Sequence, residues 1–310
     1  MPGAVSAGPA LASYPDRIVK IVVPFAPGGG TDVIARTLAQ EMAKDLGVSV
    51  IIENKPGAGT IIGTQAVAGS PPDGYTLLMG TFANAVNPSL NSKLPYDPHR
   101  DFAPVALVAR SFNIVVVNPK SPIRSIADLI AAAKADPEKL SYGTFGTGTS
   151  AHLAGELFKN MAGVNLTTVP YKGAAPAITD LVGGQIQVMF TTVASAASLI
   201  PGGQLRALAV TSAERSPAFP QLPTVAEAGL PGYAAESWYG LFAPAGTPAD
   251  VIGRLNKSAA SAVQSEVFKR LGVNEGLVMV ARPPAAFDQY VRGEEERWRK
   301  LIQDAGIRIE

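Results

Sequence analysis

Short apolar runs alternate along the chain with longer stretches whose apolar residues recur every third or fourth position. The first pattern fits strands buried in a sheet, and the second fits helices with one buried face. The Ile- and Val-rich run at 17–23 predicts a strand, and loop 24–30 separates it from an amphipathic helix at 32–46. A strand at 48–53, a loop at 54–59 and a short helix through Gln65 and Ala68 come next. A Pro-Pro-Asp-Gly turn at 71–74 then leads into a strand at 75–79. Residues 87–104 are proline-rich and read as irregular, and two apolar segments, 105–109 and 113–117, abut beyond them. Further on, helices are expected at 126–134, 151–161, 175–182 and 194–199, with strands at 140–143, 166–169, 186–190 and 205–210. An aromatic-rich strand at 237–243 precedes helices at 249–265 and 285–305.

This alternation predicts α/β layering with mainly parallel sheets. At 310 residues the chain exceeds the size at which one core usually stops growing, so two packed lobes are expected. The pattern assigns residues 14–110 and 236–310 to lobe 1 and inserts lobe 2, residues 111–235, into it. Two crossing segments, near 110–111 and 235–237, make a hinge, with a ligand cleft between the lobes. Residues 1–13 read as a leader without regular structure. They contain Ala10-Leu11-Ala12, which looks like the end of a secretory signal, but no basic or long apolar region precedes it. A trimmed signal peptide and a flexible alanine-rich leader fit this stretch equally.

Composition narrows the chemistry. A net charge of +1, with basic residues scattered, provides no field for nucleic acid. The absence of cysteine excludes thiolate metal sites, cysteine nucleophiles and disulfides. No apolar run reaches the roughly 20 residues that span a bilayer.

Three strand-to-helix loops share one chemistry: PFAPGGGTD at 24–32, NKPGAGT at 54–60 and GTFGTGTS at 143–150. Each puts glycine and small hydroxyl residues just ahead of a helix. Glycine lets backbone approach a ligand closely, and the first amides of a helix point outward with partial positive charge. Such a loop binds an anion without lysine or arginine. Thr31, Asp32, Thr60 and Ser150 could each serve only as helix caps, but three such loops spread over both lobes favour converging anion donors.

Other chemistries lack their motifs. No Gly-Lys-Ser/Thr ends any loop, so a Walker phosphate loop is excluded. Gly57, Gly59 and Gly63 space as G-x-G-x-x-x-G, one residue longer than the dinucleotide fingerprint, and the following strand ends in Met79-Gly80 where an acid is required. His99 and His152 are the only histidines. His152 and Glu156 have an i, i+4 spacing that metal ligands use, but no third ligand accompanies them, and a local backbone bond is the favoured reading of His152. There is no G-x-S-x-G elbow. Catalytic residues, metal and cofactor are therefore expected to be absent.

The loops in their order, together with PPDGYTLLMGT, LSYGTFGTGTSAHLAGELF, VPYKGAAPAITDLVGGQIQVMF and ESWYGLFAPAGTP, resemble the TctC or Bug family, the periplasmic solute-binding components of tripartite tricarboxylate transporters. The resemblance runs from Tyr14 to the C-terminus. It implies a type II periplasmic-binding-protein fold with two lobes joined by a two-segment hinge, closing as a Venus flytrap. It also implies a periplasmic location and a monomer that delivers an organic carboxylate to membrane components. Carried onto this chain, ligand contacts would come from Phe25, Gly28, Gly29, Ala58, Gly59, Thr81, Phe82 and Asn84 in lobe 1. Lobe 2 would supply Thr147, Gly148, Thr149, Ser150 and Thr191. Relatives that bind amino acids tend to carry an aspartate where Thr191 stands. A threonine cannot neutralise a buried ammonium, so an amine-free ligand is expected, a di- or tricarboxylate or an aromatic acid. Phe25, Phe82 and Phe145 favour an apolar body in it. Packing is the favoured reading of Trp238 and Tyr239, with a cleft role second. A ligand sensor acting on a signalling partner, and less favourably a nucleotide-dependent enzyme, are the alternatives.

Overall fold

The structure, a computed structural model, describes residues 14–28, 30–137, 139–146, 148–171, 173–304 and 306–307. The leader assigned to 1–13 lies outside these described residues. In chain order the first elements are β1 (Val19–Val23), α1 (Gly30–Leu46), β2 (Val50–Asn54), a 3-10 turn (Ala58–Thr60), α2 (Ile61–Ala68), β3 (Thr76–Thr81) and α3 (Phe82–Leu90). A long strand, β4 (Phe102–Val117), follows, then α4 (Ile126–Ala135), β5 (Ser141–Thr144), α5 (Ser150–Ala162), β6 (Thr167–Pro170) and α6 (Ala174–Val182). The remainder is β7 (Val188–Thr192), α7 (Val193–Ala196), β8 (Arg206–Val210), β9 (Glu236–Pro244), α8 (Ala249–Val263), α9 (Glu266–Glu275), β10 (Val278–Arg282) and α10 (Pro284–Asp304).

The strands pair in the order β2-β1-β3-β9-β4-β7-β5-β6, with β8 and β10 also against β4. The expectation of mainly parallel sheets needs correction. Parallel pairing holds between β1 and its neighbours β2 and β3, and between β5 and its neighbours β6 and β7. Every pairing of β4 and β9 is antiparallel. These two strands cross from one half of the molecule to the other, and a strand that returns to the half it left must run against its neighbour.

β4 explains the crossing. Its residues Phe102 to Phe112 pair with β9, and Asn113 to Val117 pair with β7 and β8. The two abutting apolar segments are thus one strand. Register shifts near Pro104 and Leu107 interrupt its ladder with β9, and such irregularities bend a strand. Arg110 ion-pairs with Glu236 of β9 at 3.1 Å beside the crossing.

Three hydrophobic clusters fill the layers. One holds β1 and α1 through Ile21, Ile34, Leu38 and Met42. A second gathers Phe112, Ile114 and Val116 with Met189 and Val193. The largest runs across both halves, from Phe82 and Trp298 to Tyr142, Phe158 and Phe190.

α3 is a helix the sequence left irregular from residue 87. Thr81 caps it: the Thr81 hydroxyl accepts from the Ala83 amide, and the Asn84 side chain accepts from the Thr81 amide at 2.9 Å. Pro88 sits inside it, which hides the helix from pattern reading. α9 and β10 were likewise not expected. They occupy 266–282 and return the chain to β4.

Candidate functional site

The carboxyl ends of β1, β2, β3, β5 and β7 converge on a cavity of about 290 Å³. From the first half come Phe25 after β1, Gly30, Thr31 and Ile34 of α1, Gly59 and Thr60, then Thr81, Phe82, Ala83 and Asn87 at the start of α3. From the other half come Phe145, Gly148, Thr149 and Ser150 at the start of α5, with Thr192, Val193 and Ser195. Ser111, Phe112, Ser237 and Tyr239, on the crossing strands, form its floor, and Glu275 and Leu277 complete it.

The amide ends of α1, α3 and α5 therefore face one space. Hydroxyls dominate its polar groups, aromatic rings its apolar ones, and no lysine, arginine or histidine is among the described lining residues. An anion here is held by dipoles rather than by countercharge.

The first loop is shaped by Asp32, the third residue of α1 and fully buried. Its Oδ2 accepts from the Gly28 amide at 2.9 Å and from Arg36 Nε at 2.8 Å, and its Oδ1 accepts from Asn54 Nδ2 at 2.9 Å. Asn54 also donates to the Phe25 carbonyl at 3.1 Å. One carboxylate thus ties the loop after β1 to the end of β2. The Arg36 guanidinium pulls the Asp32 carboxyl down to about 2, with help from the Gly28 amide and Asn54 and against the cost of burial.

The second loop turns through left-handed backbone at Ala58, Gly59 and Thr60, with φ of 47, 60 and 83°. For alanine and especially for β-branched threonine this is strained, by about 1 kcal/mol or more per residue. Asn87 of α3 holds it in place, donating from Nδ2 to the Gly59 carbonyl at 2.9 Å and to the Thr60 hydroxyl at 3.1 Å.

In the third loop the Gly148 amide donates to His152 Nδ1 at 3.1 Å. His152 is thus bonded to local backbone, as expected, and burial lowers its basicity. The Thr149 hydroxyl donates to the Gly146 carbonyl at 2.7 Å and accepts from the His152 amide. Ser150 differs, because its hydroxyl has no hydrogen bond to any described residue and faces the cavity.

Of the expected contacts, Phe25, Gly59, Thr81, Phe82, Gly148, Thr149 and Ser150 line the cavity together. Gly29 and Thr147 lie outside the described residues. Four others do not line it. Gly28 gives its amide to Asp32, and Ala58 is exposed and not among the lining residues. Asn84 is engaged by the cap of α3, with its Nδ2 near the Thr64 hydroxyl at 3.4 Å. Thr191 is sealed in β7 with its hydroxyl unpartnered, while its neighbour Thr192 reaches the cavity.

Phe82 serves both packing and lining: it is 3% exposed and meets Trp298 edge-on at 4.9 Å. Alternation along β9 separates the other pair. Trp238 packs on Phe287 in the core, and Tyr239 points to the cleft. The sequence offered no signal for Ser111, Ser237, Glu275 or Leu277, which come from strands and a helix end rather than from glycine loops.

Comparison with known proteins agrees with this architecture. The model of the tripartite tricarboxylate transporter family receptor, TctC, matches residues 34–307. Protein BugT of Bordetella pertussis (strain Tohama I / ATCC BAA-589 / NCTC 13251) is 37% identical over 299 residues, spanning 96% of this chain and 92% of BugT. Among solved structures, Rpa4515 of R. palustris with adipate superposes with a TM-score of 0.86 at 38% identity, covering 96% of this chain and all of that one. MatC (Rpa3494) from Rhodopseudomonas palustris with bound malate gives 0.82 at 33% identity, covering 93% of this chain and all of that one. The chain belongs to the TctC/Bug family of solute-binding receptors, which are two-lobed periplasmic binding proteins and not enzymes.

Proposed function

We propose that this protein is an extracytoplasmic solute-binding protein that captures a small organic carboxylate by closing its lobes and delivers it to the membrane components of a tripartite tricarboxylate transporter. The observation that carries this reading is the cavity itself, where three helix amide ends and a set of hydroxyls from both halves meet with no basic side chain among the described lining residues. The adipate and malate held by two similar structures support a carboxylate here. The two lobes would be 14–110 with 236–310, and 111–235. The hinge would be where β4 and β9 cross, and the Arg110–Glu236 pair sits there. No helix among the described residues is long and apolar enough to cross a membrane.

Phe25, Phe82 and Phe145 line the cavity and support an apolar body in the ligand. Thr191 does not reach the cavity, so a restriction to amine-free ligands has no support from it. That side chain is fully buried in β7.

A thermal-shift panel of carboxylates tests the reading. A ligand at about 100 times its dissociation constant should add roughly 2.7 kcal/mol of stability, and small-angle scattering should show the molecule contract. Stabilisation by nucleotides with none by any organic acid would reject it. Ser150→Ala is expected to weaken the bound acid about tenfold, the cost of one hydrogen bond to a charged group, while the melting temperature without ligand stays within about 2 °C. An unchanged dissociation constant in calorimetry would remove Ser150 from the contact set.

A further inference from the structure

The cavity contains a carboxylate of the protein's own. Glu275, the last residue of α9, lines it beside Leu277 and Tyr239. Its Oε2 comes within 3.9 Å of the point where a Cβ on Gly30 would stand, so it reaches the first turn of α1. Among the described residues no hydrogen bond or countercharge acts on this side chain, and burial pushes its carboxyl above the usual range. The negative end of α9 disfavours an anion here and the positive first turn of α1 favours one, so burial decides the direction.

The neighbours offer no relief. Tyr239 of β9 is the titratable group that senses Glu275. On α1, Asp32 is committed to Arg36. From the segment 192–195, Thr192, Val193 and Ser195 line the cavity, and Leu277 precedes β10; none of these titrates. The pocket thus has dipoles suited to one anion and, near α1, a half-buried acid with no donor among the described residues.

We propose that Glu275 is the specificity-determining residue of the cleft, accepting a hydrogen bond from a donor at the far end of the bound carboxylate. Hydroxy-carboxylates satisfy it directly. A second ionised carboxylate is admitted only with a proton held between the two acids, because two carboxylates sharing one site do not both ionise. This rests on the carboxylate-binding reading above.

The consequence is a pH dependence that differs between ligands. A hydroxy acid should bind with nearly constant affinity between about pH 6 and pH 8. A dicarboxylate takes up a proton on binding, so its affinity should fall as pH rises, by up to about tenfold per unit. The experiment compares succinate through suberate with ω-hydroxy acids of the same chain lengths, by calorimetry and thermal shift, on the intact protein and on Glu275→Gln and Glu275→Leu. Glutamine keeps the shape and an acceptor. It should strengthen dicarboxylate binding about tenfold at the upper pH and abolish its pH slope, with hydroxy acids little changed. Leucine should weaken the hydroxy acids. Pairing of dicarboxylates that is independent of pH and indifferent to Glu275→Gln would overturn the proposal and leave the carboxylate reading standing. So would binding confined to acids with no donor or acid at their far end. Failure of every carboxylate to stabilise either the intact protein or the variants would remove the carboxylate reading, and this inference with it.

Discussion

Gly63→Ala is expected to destabilise the fold by about 2 kcal/mol and to cut affinity for the bound carboxylate at least tenfold. In most helices the same change stabilises, since alanine is the better helix former by roughly 1 kcal/mol. Here close packing reverses the sign. A Cβ at Gly63 would stand 2.7 Å from the Lys55 carbonyl and 2.8 and 2.9 Å from the Cβ and Cα of Pro24. Two of those atoms are backbone and cannot rotate away. α2 would have to back off from the ends of β1 and β2 together, and those ends carry Phe25, Gly59 and Thr60 into the cavity. Gly253→Ala is the matched control. It lies inside α8 with no atom within 4 Å of the new Cβ, so it should be neutral or slightly stabilising with affinity unchanged. Melting temperatures and calorimetric titrations of the two variants decide the matter. Equal behaviour would mean that close seating of α2 does not position the binding loops.

That glycine also shows what sequence reading could and could not reach. The spacing of Gly57, Gly59 and Gly63 was legible as a loop that follows a strand and opens a helix, whereas the close seating of α2 on Lys55 and Pro24 at Gly63 was not. The loops of the cleft were legible for the same reason, because glycine and hydroxyl residues before a helix are local signals. What those loops do with their amides was not. Gly28 and Gly148 spend theirs on Asp32 and His152, and such pairings depend on side chains whose direction only the fold sets. β4 was split in two because its polar stretch at Arg110 and Ser111 looked like a gap. In the fold that stretch continues the ladder with β9, with Arg110 paired to Glu236 and Ser111 in the cavity lining.

The largest omission was 266–282. Its strand has no fully buried residue, with the burial pattern of β10 lying between exposed and intermediate throughout, so no clean alternation marks it. Local chemistry did mark the helix. The Ser265 side chain accepts from the Phe268 amide, and Gly276 ends the helix with a left-handed φ of 62°, a start and stop pair readable from sequence. Missing that helix meant missing Glu275, the one acid among the described residues of the cavity lining.

Asp32→Ala should cost about 3 kcal/mol and loosen the first binding loop. The change leaves Arg36 Nε, the Gly28 amide and Asn54 Nδ2 without their shared acceptor. Removing one partner of a buried charged cluster typically costs about 3–5 kcal/mol. Arg36 is half exposed and can turn to water, which places the expectation at the lower end. The pH dependence separates this role from simple packing. The carboxyl of Asp32 sits at about 2 in the folded protein, well below the ordinary aspartate range, because Arg36 holds it ionised. Its depressed value means that the stabilisation is complete above about pH 4 and is lost as pH falls through 2. Urea unfolding should therefore show a constant gap between the intact protein and Asp32→Ala from about pH 5 to pH 8, narrowing below pH 4. A gap that persists undiminished to pH 2 would assign the loss to packing instead of charge. Asp32→Asn keeps the shape and one acceptor, and should recover about half the stability. Ligand affinity should follow the same order, intact protein above Asp32→Asn above Asp32→Ala, because the loop that carries Phe25 to the cavity hangs on this carboxylate through Asn54 and Gly28.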